Sequence, residues 1–381
     1  MTLVGQLVAD EDTLDSLRPE WDALAVAGGR PYCSPSWMLA WWKHAAPPGA
    51  LLRVVVAFDG PRLAAIAPFW VGPGRFGVSD YRMLGAGTAA RLEPLAEPGL
   101  QTEAAAVFVA ELARATPRPR LITFEEMAVS SPWPDLLARA WVGWPRPAIK
   151  RGYRISAPVV TLDHASVDHW LGTKSGNFRQ QIRRARRQLE AAGARFRLSS
   201  DGELGRDLEA FSRLHHGRWE DRGGSAALGA NVERMLEQAG GELLPAGRFR
   251  LWCLDADGEI VSAQAFVAAG GEVSYWLGGF DERWAGQRPG LTTLVVAVED
   301  ALSRGESRLD LGPGGQDYKF RLADSDEVLE RIHVVPPGAL APPLRALLTA
   351  RRLVSAVAAR LPRRVTEPAR KLLRASRARS T

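Results

Sequence analysis

Only two cysteines occur in 381 residues, Cys33 and Cys253, far apart and each among apolar or aromatic neighbours. That excludes a disulfide framework, and no Cys/His group has the spacing of a zinc site, so a reducing compartment is expected and no metal. No apolar run approaches the ~20 residues of a membrane span. The first stretch, MTLVGQLVADEDT, is acidic where a secretory leader carries basic and then apolar residues. A cytoplasmic protein is expected. His215 and His216 are adjacent on a helical pattern and point about 100° apart, so they share no face. No Ser/His/Asp arrangement stands out.

What is present is an ordinary globular composition, 46% hydrophobic and 24% charged. A chain of this length predicts two domains. The net charge of +6 is unevenly placed: residues 336–381 hold 11 Arg/Lys and one acid, Glu367, while the rest holds 38 basic and 42 acidic residues. The body is mildly acidic and the basicity belongs to a tail.

Two stretches resemble each other. RVVVAFDGPRLAAIAPF from Arg53 and RLWCLDADGEIVSAQAF from Arg250 are both apolar runs joined by an Asp-Gly turn, the signature of a hairpin. Each is followed by a Pro-Gly-Leu helix start, at Pro98 and at Pro289, and then by a strand-like stretch, LITFEEM from Leu121 and RLDLGPG from Arg308. Helical sequence with tryptophan precedes each hairpin, Trp21 and Trp37 in one case and Trp219 in the other. The repeated order predicts an internal duplication of one α/β unit, joined near Trp144 to Arg154. The expected parts are 1–150, 151–335 and a basic amphipathic tail, 336–381. In the second half, Phe249–Asp255, Glu259–Ala268 and Val273–Phe280 read as three antiparallel strands. A helix follows, with Leu291, Leu294, Val295, Val298 and Leu302 on one face. Arg308–Leu311 and Val328–Val335 read as further strands.

The segment GGFDERWAGQRPGLTT supplies chemistry. A helix start leaves backbone N–H groups unpaired and carries partial positive charge. Gly290 puts no side chain over them, and Arg288 adds a cation, an arrangement suited to phosphate or pyrophosphate. At the matching place in the first half stands Glu97, which repels an anion, so the site is expected in the second half alone.

Three antiparallel strands, this helix start and another strand resemble the core of GNAT-superfamily acyltransferases, through a partial motif, Gln287-Arg288-Pro289-Gly290-Leu291-Thr292. Phe178–Leu189, Trp219, GGFDERWAGQRPG and LDLGPGGQDYKFRLA more closely resemble the CelD-like and BioF2-like domains, which are related to Fem peptidyltransferases. The resemblance covers roughly Ala157 to Val335 and, more weakly, the first half. It implies an α/β fold of tandem GNAT-like halves, each a mostly antiparallel mixed sheet flanked by helices, the first half degenerate and the second catalytic. It also implies acyl-CoA (acetyl-CoA) as co-substrate, held by Arg288, Gly290, Leu291 and Thr292, with Gly278 and Gly279 hosting a strand bulge whose amides pair with the pantetheine arm.

Acyl transfer to an amine or hydroxyl removes one proton from the nucleophile and delivers one to the departing thiolate. Tyr318, just after a strand end, resembles the tyrosine acid of many GNAT enzymes. Lys319 suits an oxyanion, or a substrate carboxylate or phosphate. Asp281 is the nearest base read from the sequence. Arg218 and Trp219 are expected to line an acceptor pocket, and Asp310 to point across the sheet from Leu309 and Leu311 toward substrate. For Trp219 and Tyr318 packing is the alternative reading, and for Lys319 a solvated surface charge.

Two basic segments remain. Lys174, Arg179, Arg183, Arg184, Arg186 and Arg187 form a stripe that suits RNA phosphates, an anionic substrate or plain solvation. Phe178 alone flanks it as a base-stacking aromatic, which counts against nucleic acid unless the donor is aminoacyl-tRNA. The tail, with Leu344, Leu347, Leu348, Leu353, Val354 and Val357 at helical spacing and Pro362 as a break, reads as a membrane-surface helix, a segment docked on the body, or a disordered end. Acceptors left open are small molecules, polysaccharides and lipid-linked compounds. A non-catalytic binding protein of the same fold is the remaining alternative.

Overall fold

The computed structural model describes residues 2–73, 77–220, 225 and 227–360. Its strands are β1 (Val4–Val8), β2 (Leu51–Asp59), β3 (Arg62–Pro73), β4 (Ser79–Met83), β5 (Leu95–Ala96), β6 (Leu121–Ala128), β7 (Ala148–Thr161), β8 (Arg195–Leu198), β9 (Phe249–Ala256), β10 (Glu259–Ala269), β11 (Glu272–Phe280), β12 (Arg308–Asp310) and β13 (Ser325–Val335). They form one 13-stranded sheet in the order β1-β2-β3-β4-β6-β13-β7-β12-β11-β10-β9-β8, with β5 on the side of β3.

Both Asp-Gly hairpins form, β2–β3 and β9–β10. In each half a helix then crosses over and returns a strand parallel to the last: Gln101–Arg114 leads to β6 beside β4, and Pro289–Ser303 leads to β12 beside β11. The duplicated order seen in the sequence is thus a duplicated topology. Tryptophans near the start of the first half, Trp21 and Trp37, are fully buried on its helices.

The halves are not separate sheets. β7 pairs with β12 of the second half, whereas β13, last in the chain, pairs with β6 of the first. β7 and β13 pair with each other over most of their length. The expected division at 150/151 therefore falls inside β7, a strand shared by both halves.

Pairing of β11 to β12 stops at Ser274 and Asp310. Beyond Ser274, β11 continues to Phe280 with its other edge on β10 alone. A wedge opens there. The first half has no such edge, because β4 ends at Met83, right after its pairing with β6.

The wedge strand carries a bulge, at Trp276 and not at the expected glycines: Leu277 faces Ala265, Tyr275 faces Phe266, and Trp276 is the extra residue. Gly278 and Gly279 stay in register, and each is small for another reason. A Cβ on Gly279 would lie 2.5 Å from the backbone of Leu214 and His215, on the helix Leu204–Glu220 that covers the strand. A Cβ on Gly278 would meet the Gln264 side chain.

The helix Ala341–Arg360 carries the start of the tail, and Leu344 and Leu348 pack on Leu121, Val335 and Ala341. At its start the tail docks on the body. Side chains from 351, including Leu353, Val354 and Val357, and all of 361–381 with Pro362 lie outside the described residues. No helix among the described residues is long and apolar enough to cross a membrane.

Backbone cannot retreat from a new methyl group as a flexible side chain can. Gly279→Ala is therefore expected to cost about 1–3 kcal/mol in urea unfolding, while Gly202→Ala, with open space around it, stays near wild type. Equal stability of the two variants would contradict the close packing of helix on strand.

Candidate functional site

A cavity of about 530 Å³ lies where the wedge meets the seam between the halves. Six residues expected from the sequence line it: Arg218, Trp219, Gly278, Asp310, Tyr318 and Lys319. Arg218 lies 5.0 Å over the Phe280 ring and Trp219 is partly exposed.

Lys319 sits in the short helix Asp317–Leu322 after the GPGG turn and is 4% exposed. Its Nζ donates to the carbonyls of Gly312 (3.1 Å) and Pro313 (2.9 Å). No carboxylate pairs with it among the described residues, and burial pushes its ammonium down to about 8. It is a buried cation on the cavity wall, which removes the solvated-surface alternative. Beside it the Tyr318 phenol, facing Tyr275, is pushed up by burial and keeps its proton at neutral pH.

Asp310 does point to the cavity, but its charge is already engaged. Arg91 of the first half donates to it, and its Oδ1 accepts the Gly312 N–H at 2.9 Å. Arg91 also pairs with Glu327 (2.7 Å), which pairs with Arg308 (3.0 Å). Asp310 thus fixes the turn that carries Lys319 while lining the cavity.

Asp281, expected as the base, lies in a different setting. It caps the turn Glu282–Gln287, and its carboxylate accepts the Arg283 N–H at 2.9 Å and the Arg283 guanidinium at 2.6 Å. Those bonds hold it below the ordinary carboxylate range, and it does not line the cavity. It is a weakly basic capping group that lies outside this cavity.

The helix Pro289–Ser303 starts as expected, with no side-chain cap. Arg288 is exposed in the left-handed conformation (φ 54°), with no ion pair among the described residues. Gly290 is buried against Phe280, Leu291 packs on the core of the second half, and Thr292 is fully buried with its hydroxyl on the Arg288 carbonyl. Of these four, Arg288 is exposed, Gly290 and Thr292 are buried, and the Thr292 N–H and hydroxyl both bond the Arg288 carbonyl. Glu97, the residue contrasted with Arg288, pairs with Arg62.

Sequence reasoning missed the rest of the cavity: the Gly87–Ala90 loop, Glu125 and Glu126 from the first half, Tyr153 from the shared strand β7 and Arg331 from β13. These meet at a double irregularity. Glu330 and Ile332 of β13 pair with Met127 and Phe124 of β6, and with Arg154 and Arg151 of β7. Opposite Arg331 each neighbour therefore carries two residues, Glu125-Glu126 on one side and Gly152-Tyr153 on the other. The adjacent acids in the strand-like LITFEEM were the available signal. The bulge residue Trp276 reaches the same loop, its indole N–H donating to the Thr88 carbonyl at 2.8 Å.

His215 is buried, with Nδ1 3.3 Å from the Gly278 carbonyl and Nε2 2.8 Å from Ser225 Oγ, and burial lowers its basicity. Both cysteines are buried, with Cys33 pushed up to about 12 and Cys253 also raised. They are inert thiols. No cluster of three metal-ligating side chains occurs among the described residues.

Residues 176–320 match the family model "Acetyltransferase (GNAT) domain". No curated protein sequence matches the chain. Among solved structures, FemX is 12% identical with a TM-score of 0.63, covering 87% of this chain and 98% of its own. The C-terminal domain of a putative lysylphosphatidylglycerol synthetase from Agrobacterium fabrum is 13% identical, TM-score 0.55, covering 88% and 96%. A conserved protein of unknown function from Bacteroides thetaiotaomicron is 13% identical, TM-score 0.56, covering 86% and 99%. At these identities the likeness is one of fold.

The buried ammonium of Lys319 gives a pH test. Below about 8 both folded and unfolded chains hold its proton, and the burial penalty is constant. Between about 8 and the ordinary 10.5 only the unfolded chain holds it, so stability rises with pH by up to about 1.4 kcal/mol per unit. Urea unfolding of wild type and Lys319→Met at pH 7, 9 and 10 is expected to show wild type gaining on the variant; parallel curves would place Lys319 in solvent. Residues 176–320 thus carry the match to a GNAT-type acetyltransferase domain, in a chain whose overall fold is like that of FemX.

Proposed function

We propose that the protein transfers an acyl group, of which acetyl is the simplest case, from acyl-CoA to an amine or hydroxyl by direct attack. The observation that carries this reading is the wedge: Tyr275 to Gly278, on the free edge of β11, line a cavity that holds Tyr318 and Lys319. Unpaired amides on such an edge suit the amide-bearing pantetheine arm. The uncapped helix start with exposed Arg288 lies after the end of the same strand and suits the pyrophosphate.

In this reading the acceptor attacks the thioester carbonyl, Lys319 stabilises the developing oxyanion, and the Tyr318 phenol gives its proton to the departing thiolate. Arg218 and Trp219 flank the acceptor. The resemblance to CelD-like and BioF2-like domains supports the same chemistry, and the first half contributes binding surface without a donor site of its own.

A second reading, Fem-like transfer from aminoacyl-tRNA, is favoured by the likeness to FemX over nearly the whole of both chains. Part of the basic stripe is spoken for: Lys174 pairs with Asp324, Arg179 donates to the Gly172 carbonyl, and Arg186 pairs with Glu299. Arg183, Arg184 and Arg187 remain exposed for RNA. The basic tail and the lysylphosphatidylglycerol synthetase likeness support work at the inner face of a membrane, on a small, polysaccharide or lipid-linked acceptor.

Calorimetric titration with acetyl-CoA and CoA separates these readings. Saturable binding is expected, weakened about ten- to hundredfold in Arg288→Glu, the scale of lost bonds to a charged group. Absence of binding to folded protein would overturn the acyl-CoA reading and send the search to aminoacyl-tRNA, whose binding falls steeply with salt. Given turnover, Tyr318→Phe is expected to lower kcat about 100-fold or more with KM for acetyl-CoA little changed. An unchanged kcat would remove the phenol from the chemistry.

A further inference from the structure

The cavity has two chemically different walls. The wall from the second half carries the phenol of Tyr318 and two cations, Lys319 and Arg218, neither with an ion-pair partner among the described residues. The opposite wall carries Glu125 and Glu126, which differ sharply. Glu125 is neutralised by Arg82 (3.3 Å) and Arg331 (3.2 Å). Glu126 has no cation at ion-pair distance among the described residues, and its Oε1 accepts only the Tyr153 hydroxyl, at 3.2 Å.

The backbone brings Glu126 there at a cost. Its φ is +49°, in the left-handed region, inside a strand. For a residue with a Cβ that conformation costs about 1–2 kcal/mol. Arg91 is also left-handed (φ 60°), and its N–H donates to the Glu126 carbonyl at 3.0 Å, pinning the two together. The doubled bulge opposite Arg331 holds the strand in this shape from the other side. Strain of this kind, built by three strands and spent on presenting one unpaired carboxylate, is a mark of function.

We infer that Glu126 is the base of the transfer reaction and that the acceptor is a primary amine, which enters as its ammonium at the Glu126 wall of the cavity. This rests on the acyl transfer proposed above. An ammonium suits this wall through the carboxylate, since the Tyr153 ring already carries Arg331 at 4.9 Å and the Trp276 ring stacks on Phe211, whereas a neutral hydroxyl makes no use of an unpaired charge. Glu126 takes one proton from the ammonium. The freed nitrogen lone pair forms the C–N bond to the acyl carbon, the C–S bond breaks, and Tyr318 protonates the thiolate. Glu126 releases that first proton to solvent and takes the second N–H proton as the tetrahedral adduct collapses to the neutral amide; the phenol is restored from solvent, so ammonium and thioester give amide, thiol and one net proton.

The electrostatics agree with the assignment. Burial raises Glu126 above the ordinary carboxylate range, strengthening it as a base, while burial also keeps Tyr318 protonated. Two titratable groups on opposite walls are thus set to opposite tasks. The groups facing Glu126 are Tyr153 on β7, Arg331 on β13, Lys319 from the helix Asp317–Leu322 and its own neighbour Glu125. Tyr153 and the two cations favour its charged form, and Glu125 opposes it.

The test uses the full chain with two probes of equal length, hexylammonium and 1-hexanol, followed by the fluorescence of the cavity tryptophans. Wild type is expected to prefer hexylammonium, and Glu126→Gln, which keeps size and the Tyr153 bond, to lose that preference by at least about tenfold. Glu126→Asn, a residue that tolerates the left-handed backbone, provides a second folded variant with the same expected loss. In thiol release from acetyl-CoA with hexylamine, Glu126→Gln is expected to lower kcat about 100-fold and to flatten the acidic limb of the pH profile. Retention of ammonium preference, or of that limb, by both variants would overturn the inference, as would a wild type that binds 1-hexanol equally well. A wild type that binds hexylammonium through Glu126 yet releases no thiol would instead overturn the acyl-CoA donor and leave the amine site standing.

Discussion

The exchange of β7 and β13 is the constraint on which the rest depends. Each half, left to itself, would end on the parallel strand after its crossover helix, with an open edge inviting further pairing. β13 covers the edge of β6 and β7 covers that of β12. Because the two covering strands also pair with each other, thirteen strands become one sheet. A continuous sheet fixes the distance and orientation of the two walls of the cavity. The Arg91–Asp310 pair then locks the same seam electrostatically, joining a first-half loop to the end of β12.

That pair is also the link between packing and chemistry. Asp310 holds the Gly312 amide, and the Gly312 and Pro313 carbonyls hold the Lys319 ammonium. Charge on one side of the seam therefore sets the position of a cation on the other. A buried carboxylate unpaired with Arg91 would have been free to pair with Lys319 itself, and the wall would have lost its free cation.

Much of the second half was legible in the sequence because its signals are local. Asp-Gly turns between alternating runs gave both hairpins, and the apolar face from Leu291 to Leu302 gave the crossover helix. Tyr318, Lys319, Arg218, Trp219 and Asp310 were read as neighbours and share one cavity. The wedge glycines show where local reading stops. Gly278 and Gly279 look like a bulge, but close approach of the covering helix and of Gln264 demands small residues just as strongly, and the bulge sits at Trp276. Asp281 looked available only because its partner, Arg283, is two residues away with an orientation the sequence does not state. The strand exchange and the left-handed Glu126 depend on pairings across most of the chain, which no window of sequence contains.

The final strand has a temporal consequence. A chain emerging from the ribosome presents β6 long before β13 exists, so the first half must wait with its central edge bare while nearly two hundred more residues are made. Contacts of that sequence separation form slowly, and an exposed strand edge in the interval is a natural client for holding chaperones. The cavity has no second wall joint until Arg331 arrives. A chain that stopped before β13 would leave the edges of β6 and β7 uncovered and the cavity without Arg331.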